Sequence, residues 1–145
     1  MKFLIDGNVI LDVLQNREPY VTDSLAVWNM CEEGKIIGYI SSLTFANIVY
    51  ILRKELNAEK IENLYHSLAK IFRIVDFRAT DAAEAASLRW KDYEDAVQTM
   101  TASRLNLDAI ITRNIADFSS SLIPAITPEE VVNADMADVG GADNE

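Results

Sequence analysis

Asp6 directly follows the apolar run Phe3-Leu4-Ile5. Asp92 and Asp95 stand three residues apart at the start of a helical pattern, and Asp117 lies a few residues beyond a second apolar run that ends at Thr112. Carboxylates gathered in a low-dielectric site repel one another and raise one another's pKa unless a cation neutralises them. Hard oxygen donors at that density suit Mg²⁺ or Mn²⁺. Such an ion can lower the pKa of bound water to make a nucleophile, or clamp the oxygens of an in-line phosphoryl displacement. That chemistry needs no histidine. The sole histidine, His66, falls off the Ile61, Leu64, Leu68 stripe and reads as a surface residue. Cys31, the sole cysteine, lies in an apolar stripe and reads as core; it excludes an intrachain disulfide and a Cys-rich zinc module. Each acid also has an ordinary reading. Asp6 could cap the helix that follows, Asp92 and Asp95 form an imperfect capping box favoured by the helix dipole, and Asp117 could be a loop acid.

These acids matter only if the fold brings them together. Lys2 to Ile5 reads as a strand buried on both faces, followed by a helical run from Val9 through Ile10, Val13 and Leu14. A second helix begins near Pro19, with Val21, Leu25, Trp28 and Cys31 as its stripe, and ends at Gly34. Ile36 to Ile40 is the second strand. Ser42 caps a helix to about Leu56, and Ala58 to Lys70 forms an amphipathic helix. Phe72 to Phe77 is strand three, helices follow from Thr80 to Trp90 and from Tyr93 to Leu105, and Leu107 to Thr112 is strand four. Pro124 to Thr127 makes a short fifth strand leading into a last helical turn from Pro128. Strands alternating with helices predict a three-layer α/β/α sandwich around a mainly parallel five-stranded sheet. Ligands bind outside the carboxyl ends of such strands, where Asp6 and Asp117 fall. Whether the start of the Tyr93 helix reaches the same edge is left open by spacing.

The 145 residues suffice for one domain with a real core. A formal charge of -10 opposes phosphate binding, but it is unevenly placed. Seven of the 23 acids lie beyond Arg113, while all 13 basic residues occur at or before it, leaving 16 acids against 13 bases up to that point. Residues 133–145, poor in apolar groups and free of basic ones, read as a mobile acidic tail. The opening apolar run is too short for a signal peptide or membrane span, which makes a reducing cytoplasm the simplest address.

Four ordered blocks carry a resemblance. Ile5-Asp6-Gly7-Asn8-Val9-Ile10-Leu11-Asp12-Val13-Leu14 resembles the opening of PIN domains, which usually read Asp-Thr-Asn-Val and then apolar residues. Ser41 to Lys54, Tyr93-Glu94-Asp95-Ala96-Val97-Gln98, and Ile110-Ile111-Thr112-Arg113-Asn114 with Asp117-Phe118 resemble the remaining blocks. The likeness spans residues 1–132 and is closest to the bacterial branch that includes toxins of toxin-antitoxin pairs. It implies a metal-dependent endoribonuclease that uses water to attack phosphorus. Asp6, Asp95 and Asp117 would hold the metal or its water, with Asp92 an accessory acid. Asn8 would brace the first loop, Thr112 would offer a hydroxyl, Asn114 would be accessory, and Lys91 and Arg113 would contact phosphates. Solvated surface charge is the ordinary reading of those last two. The resemblance further implies RNA as substrate, a homodimer through the early helices, and an antitoxin protein covering the acidic edge with an arginine.

Two positions depart from the family pattern. Asn47 stands where an acid is common, removing one charge from the site, and Gly7 replaces a hydroxyl residue. They motivate a rival reading, a catalytically weakened module that binds a protein or RNA. A haloacid-dehalogenase-like phosphatase would need an acid where Asn8 stands. A receiver domain using Asp76 would need a lysine after the last strand, and none follows Arg113.

Overall fold

The computed structural model describes residues 1–143, the last six by their backbone alone. Five strands form one sheet: β1 (Lys2–Ile5), β2 (Ile37–Ser41), β3 (Arg73–Val75), β4 (Ala109–Ile111) and β5 (Ala125–Ile126), in the order β3-β2-β1-β4-β5. Every neighbouring pair is parallel, with Leu4 opposite both Tyr39 and Ile110. The helices are α1 (Gly7–Leu14), α2 (Val21–Glu32), α3 (Ser42–Ile51), α4 (Ala58–Ile71), α5 (Ala79–Leu88), α6 (Tyr93–Arg104) and α7 (Pro128–Asp143), with a 3₁₀ turn at Ile115–Phe118.

Side chains alternate across a strand, so each central strand feeds two cores. Phe3 and Ile5 of β1, Ile40 of β2 and Ile111 of β4 pack with α1, α2, α3, α4 and α7. Leu4, Tyr39 and Ile110 face the other way, onto Ala102 of α6 and Phe118. This is the expected α/β/α sandwich. Leu4, Ile5, Ile40, Ile110 and Ile111 have no exposed surface, and each such side chain contributes about 1.5–3 kcal/mol by leaving water. Gly38 of β2 is required by close approach. A Cβ there would lie 2.7 Å from Cys31 Sγ and 2.8 Å from a Phe72 ring carbon.

Several boundaries differ from expectation for local reasons. Ser41, not Ser42, caps α3 through its Oγ, which accepts from the Leu43 amide; Ser42 Oγ instead accepts from the Phe77 amide. That bond ends strand three before Phe77 and holds the β3–α5 turn to α3. The buried face of α2 is Ser24, Val27, Met30 and Cys31, and Leu25 is exposed. The helix is rotated because Ser24 Oγ donates to the buried carboxylate of Asp12 at 2.9 Å. Helix α7 is no single turn. It continues through Asp143, so the segment read as a tail from Asn133 is helical backbone that far, carried by Ala134 and Ala137, which suit a helix. Lys35 lies 3.8 Å from Asp135 there. Residues 144–145 lie outside the described residues. No helix among the described residues is long and apolar enough to cross a membrane.

Candidate metal-dependent active site

Asp6 is the first residue past β1, and its amide donates to the Ile111 carbonyl of β4 at 3.0 Å. This extends the ladder by one residue and seats Asp6 beside Thr112, the corresponding residue past β4. Its carboxylate accepts from Thr112 Oγ1 at 2.9 Å and from Gln98 Nε2 at 3.2 Å. Although Asp6 stands in the N-cap position of α1, its side chain makes no capping bond. The ordinary reading of Asp6 as a cap therefore gives way to one in which it is held across the sheet edge. Burial is the main cause raising its pKa; the Thr112 hydroxyl, the Gly7 amide and the charge of Arg113 oppose it.

The Gln98 contact also settles what spacing left open. Helix α6 runs antiparallel to the strands and starts at the same edge as Asp6. Asp92 is the N-cap of α6 and accepts from the Asp95 amide at 3.2 Å, so the capping reading holds for Asp92. Asp95 in the first turn is buried, and its carboxyl is pushed up to about 7, first by burial and then by the charges of Asp92, Asp6, Glu94 and Asp117. The positive end of the α6 dipole favours the acids there but does not cancel their crowding.

A cleft of about 310 Å³ opens at this edge. Asp6, Asn8, Asn47, Asp92, Glu94, Asp95, Asn114 and Asp117 line it, with Leu11, Ile48, Tyr50 and Ile51 forming an apolar wall. No lysine or arginine lines it. Thr112 lies beneath, fully buried. Its Oγ1 also accepts from the Asn114 amide at 3.2 Å, and the Asn114 carbonyl accepts from the Asp117 amide, so one short loop presents both residues.

The two phosphate candidates separate. Lys91 is exposed in the groove next to the cleft. Arg113 turns elsewhere: its Nε lies 2.9 Å from Asp12 Oδ2 and its guanidinium stacks on Tyr20 at 3.9 Å. Asp12 has no exposed surface, and a carboxylate so placed needs a cation. Arg113 supplies it, with Arg17 farther off at 3.9 Å from Asp12 Oδ1. Neither Arg113 Nε nor Asp12 Oδ1 makes a well-directed hydrogen bond, so these contacts are mainly charge against charge. Arg113 thus pins the loop after β4 to α1, its guanidinium engaged by Asp12 and Tyr20.

Sequence reasoning missed Glu94, Gln98 and Asp12. Asp12 had a readable signal, being a carboxylate three residues after Val9 on the apolar face of α1. Glu94 lines the cleft together with Asn47; burial and the charges of Asp6 and Asp92 raise its pKa, while the neighbouring Asn47 amide lowers it. The charge absent at position 47 is thus present at 94. Gly7 is equally accommodated, since the Thr44 methyl would lie 3.3 Å from a Cβ added there and already fills the space. Cys31 is buried core with its thiol pushed up to about 12 by burial. His66 is a surface residue near Glu62.

As they stand, no three or more His, Cys, Asp or Glu side chains among the described residues are close enough together to hold an ion. The acids ring the cleft, with the Asp6 oxygens turned toward Thr112 and Gln98. The donor chemistry nevertheless fits a hard divalent cation: it is all oxygen, strongly anionic, and lacks thiolate and imidazole.

The sequence model of the PIN domain matches residues 2–116. The chain belongs to the PIN-domain family. Among curated proteins it is similar to Ribonuclease VapC1 of Aquifex aeolicus (strain VF5), at 26% identity over 134 residues covering 89% of this chain and 92% of the relative. Solved structures share the fold. A toxin-antitoxin complex from Klebsiella pneumoniae matches with a TM-score of 0.66 and 23% identity, covering 86% of this chain and 96% of that one. VapBC2 from Rickettsia felis, bound to a DNA fragment from its promoter, matches with a TM-score of 0.64 and 17% identity, covering 88% and 98%.

Proposed function

We propose that this PIN domain is a metal-dependent endoribonuclease and the toxin of a toxin-antitoxin pair. The observation carrying the reading is the set of five acids, Asp6, Asp92, Glu94, Asp95 and Asp117, around one cleft with no basic lining residue. The name of the Aquifex relative, a ribonuclease, and the toxin-antitoxin assemblies among the structural neighbours support it. Asp6, Asp95 and Asp117 would hold Mg²⁺ or Mn²⁺, with Asp92 and Glu94 at the rim. The bound ion supplies a lowered pKa for water and charge neutralisation for a phosphoryl transition state. Thr112 and Gln98 fix the Asp6 carboxylate by donating to both its oxygens. Asn47 lines the cleft with Glu94, and the Leu11, Ile48 and Ile51 wall limits water on one side. Asp95, its carboxyl pushed up to about 7 by burial and the neighbouring acids, would ionise more readily with a cation beside it. RNA is the substrate, an antitoxin protein is the partner, the chain pairs as a homodimer, and the cytoplasm is its place.

One observation favours a second reading, a binding module without catalysis: the carboxylates do not converge on one point in this arrangement. The deciding experiment offers labelled RNAs to purified protein with Mn²⁺, Mg²⁺ or chelator, beside a folded Asp6→Asn protein. Metal-dependent cutting lost in the variant is expected; equal traces of cutting by both would leave the binding module.

A further inference from the structure

Beside the acidic cleft runs a groove of about 800 Å³ formed by the α5–α6 turn and the loop after β4. Its lining includes Arg89, Trp90, Lys91 and Tyr93, and it shares Asp92 and Asp117 with the cleft, so the two are continuous. Arg89 closes α5 in the left-handed conformation, φ 55°, which throws the chain outward before α6 begins. Trp90 anchors the turn edge-on against Phe118 at 6.3 Å. Tyr93 is fixed by its hydroxyl, which donates to the Ala82 carbonyl at 2.8 Å, yet the residue remains 49% exposed. Arg89 and Lys91 are exposed, and neither has an ion-pair partner among the described residues. Nearby cations differ: Arg113 is committed to Asp12, Arg104 to Asp81 and Arg78 to Asp76.

We propose that this groove binds single-stranded RNA leading out of the cleft, with Arg89 and Lys91 on its phosphates and the Tyr93 ring against an unstacked base; the choice of RNA rests on the nuclease reading. The cleft itself repels phosphate, so a bound strand needs cations at its flank. Among the described residues Arg89 and Lys91 are unpaired cations in the groove continuous with it, whereas Arg53 is held over the Tyr50 ring. A rigid, half-exposed aromatic ring between charged residues is the usual platform for a single-stranded base and is of no use to a stacked duplex. A chain lying in the groove passes Asp92 and Asp117 and delivers its next phosphate to the acids.

The test measures binding of a fluorescein-labelled single-stranded RNA of about 12 nucleotides in chelator, over a range of salt. Arg89→Gln with Lys91→Gln is expected to weaken binding about tenfold and to flatten the plot of log Kd against log salt by about 1.4, for two lost phosphate contacts. Lys60→Gln with Lys70→Gln on α4 removes the same charge elsewhere and should change neither. Tyr93→Ala should cost about tenfold, while Tyr93→Phe, which keeps the ring but loses the Ala82 bond that fixes it, should cost clearly less. Groove variants that bind with wild-type affinity and salt slope would overturn the proposal, as would equal losses in the α4 pair. Cleavage of the same RNA with Mn²⁺ separates the two readings. Wild-type cutting with unchanged binding by the groove variants removes the groove alone; a flattened slope without any cutting keeps the groove and removes the nuclease.

Discussion

Replacing Asp95 by Asn should make the metal-free protein more stable. Asp95 is only 8% exposed, and its carboxyl titrates at about 7 instead of 3.8 because burial and four neighbouring acids oppose its charge. Above that value the ionised group costs the folded state about 4 kcal/mol relative to the unfolded chain. Readjustment of the neighbours trims this, so a gain of roughly 2–4 kcal/mol is expected, or about 8 °C in Tm for a chain of this size. Asn preserves the shape, and the bond from the Asp95 amide to Asp92 is unaffected because it uses the backbone. A raised carboxyl pKa means that the folded state binds the proton more tightly than the unfolded one. Stability is therefore fully present below 3.8 and is lost as pH rises toward 7. Wild type in chelator should melt at a lower temperature at pH 8 than at pH 5, and Asp95→Asn should flatten that dependence. Some slope should persist, because Asp6 and Glu94 are raised as well. Asp81, held low by Arg104 and the Arg78 amide, acts with opposite sign only as pH falls below the usual carboxylate range. Thermal melts by circular dichroism in chelator at both pH values make the comparison. An Asp95→Asn protein no more stable than wild type at pH 8 would refute the claim that the acids oppose one another.

Arg113→Gln leaves Asp12 buried with Ser24 and a distant Arg17, and should cost about 3 kcal/mol in urea unfolding; a variant as stable as wild type but weaker for RNA would restore the phosphate role. Gly38→Ala should cost about 2 kcal/mol by overpacking Cys31 and Phe72, with partial recovery in the double variant with Cys31→Ala. Thr112→Val removes the 2.9 Å donor to Asp6 without changing side-chain shape, and should weaken Mn²⁺ binding about tenfold by calorimetry.

The sheet was legible because its strands are short apolar runs followed by polar residues, Asp6 after β1 and Thr112 after β4. Asp6, Asp92, Asp95 and Asp117 could be picked out one by one, but only three dimensions show that α6 starts at the β1 edge, a fact carried by Gln98 meeting Asp6 across 92 residues. The stripe assigned to α2 was rotated because an apolar pattern cannot anticipate that Ser24 turns inward to serve a buried carboxylate. The pairing of Arg113 with Asp12 was unreadable for the same reason, as Asp12 looked like one more letter in an apolar helix. The length of α7 was understated because an acidic, apolar-poor segment reads as tail even where its alanines sustain a helix. Glu94 was hidden by its neighbour Asp95, and only the fold shows that it lines the same cleft as Asn47.

The central claim is that the acidic cleft is a metal-dependent ribonuclease centre. The most direct measurement titrates Mn²⁺ into wild type and Asp117→Asn, following ion binding by electron paramagnetic resonance and cutting of a labelled RNA in the same samples. Binding and cutting should rise together in wild type, and both midpoints should move to higher Mn²⁺ in the variant. Cutting that is independent of Mn²⁺, or Mn²⁺ bound equally by both proteins, would contradict the account.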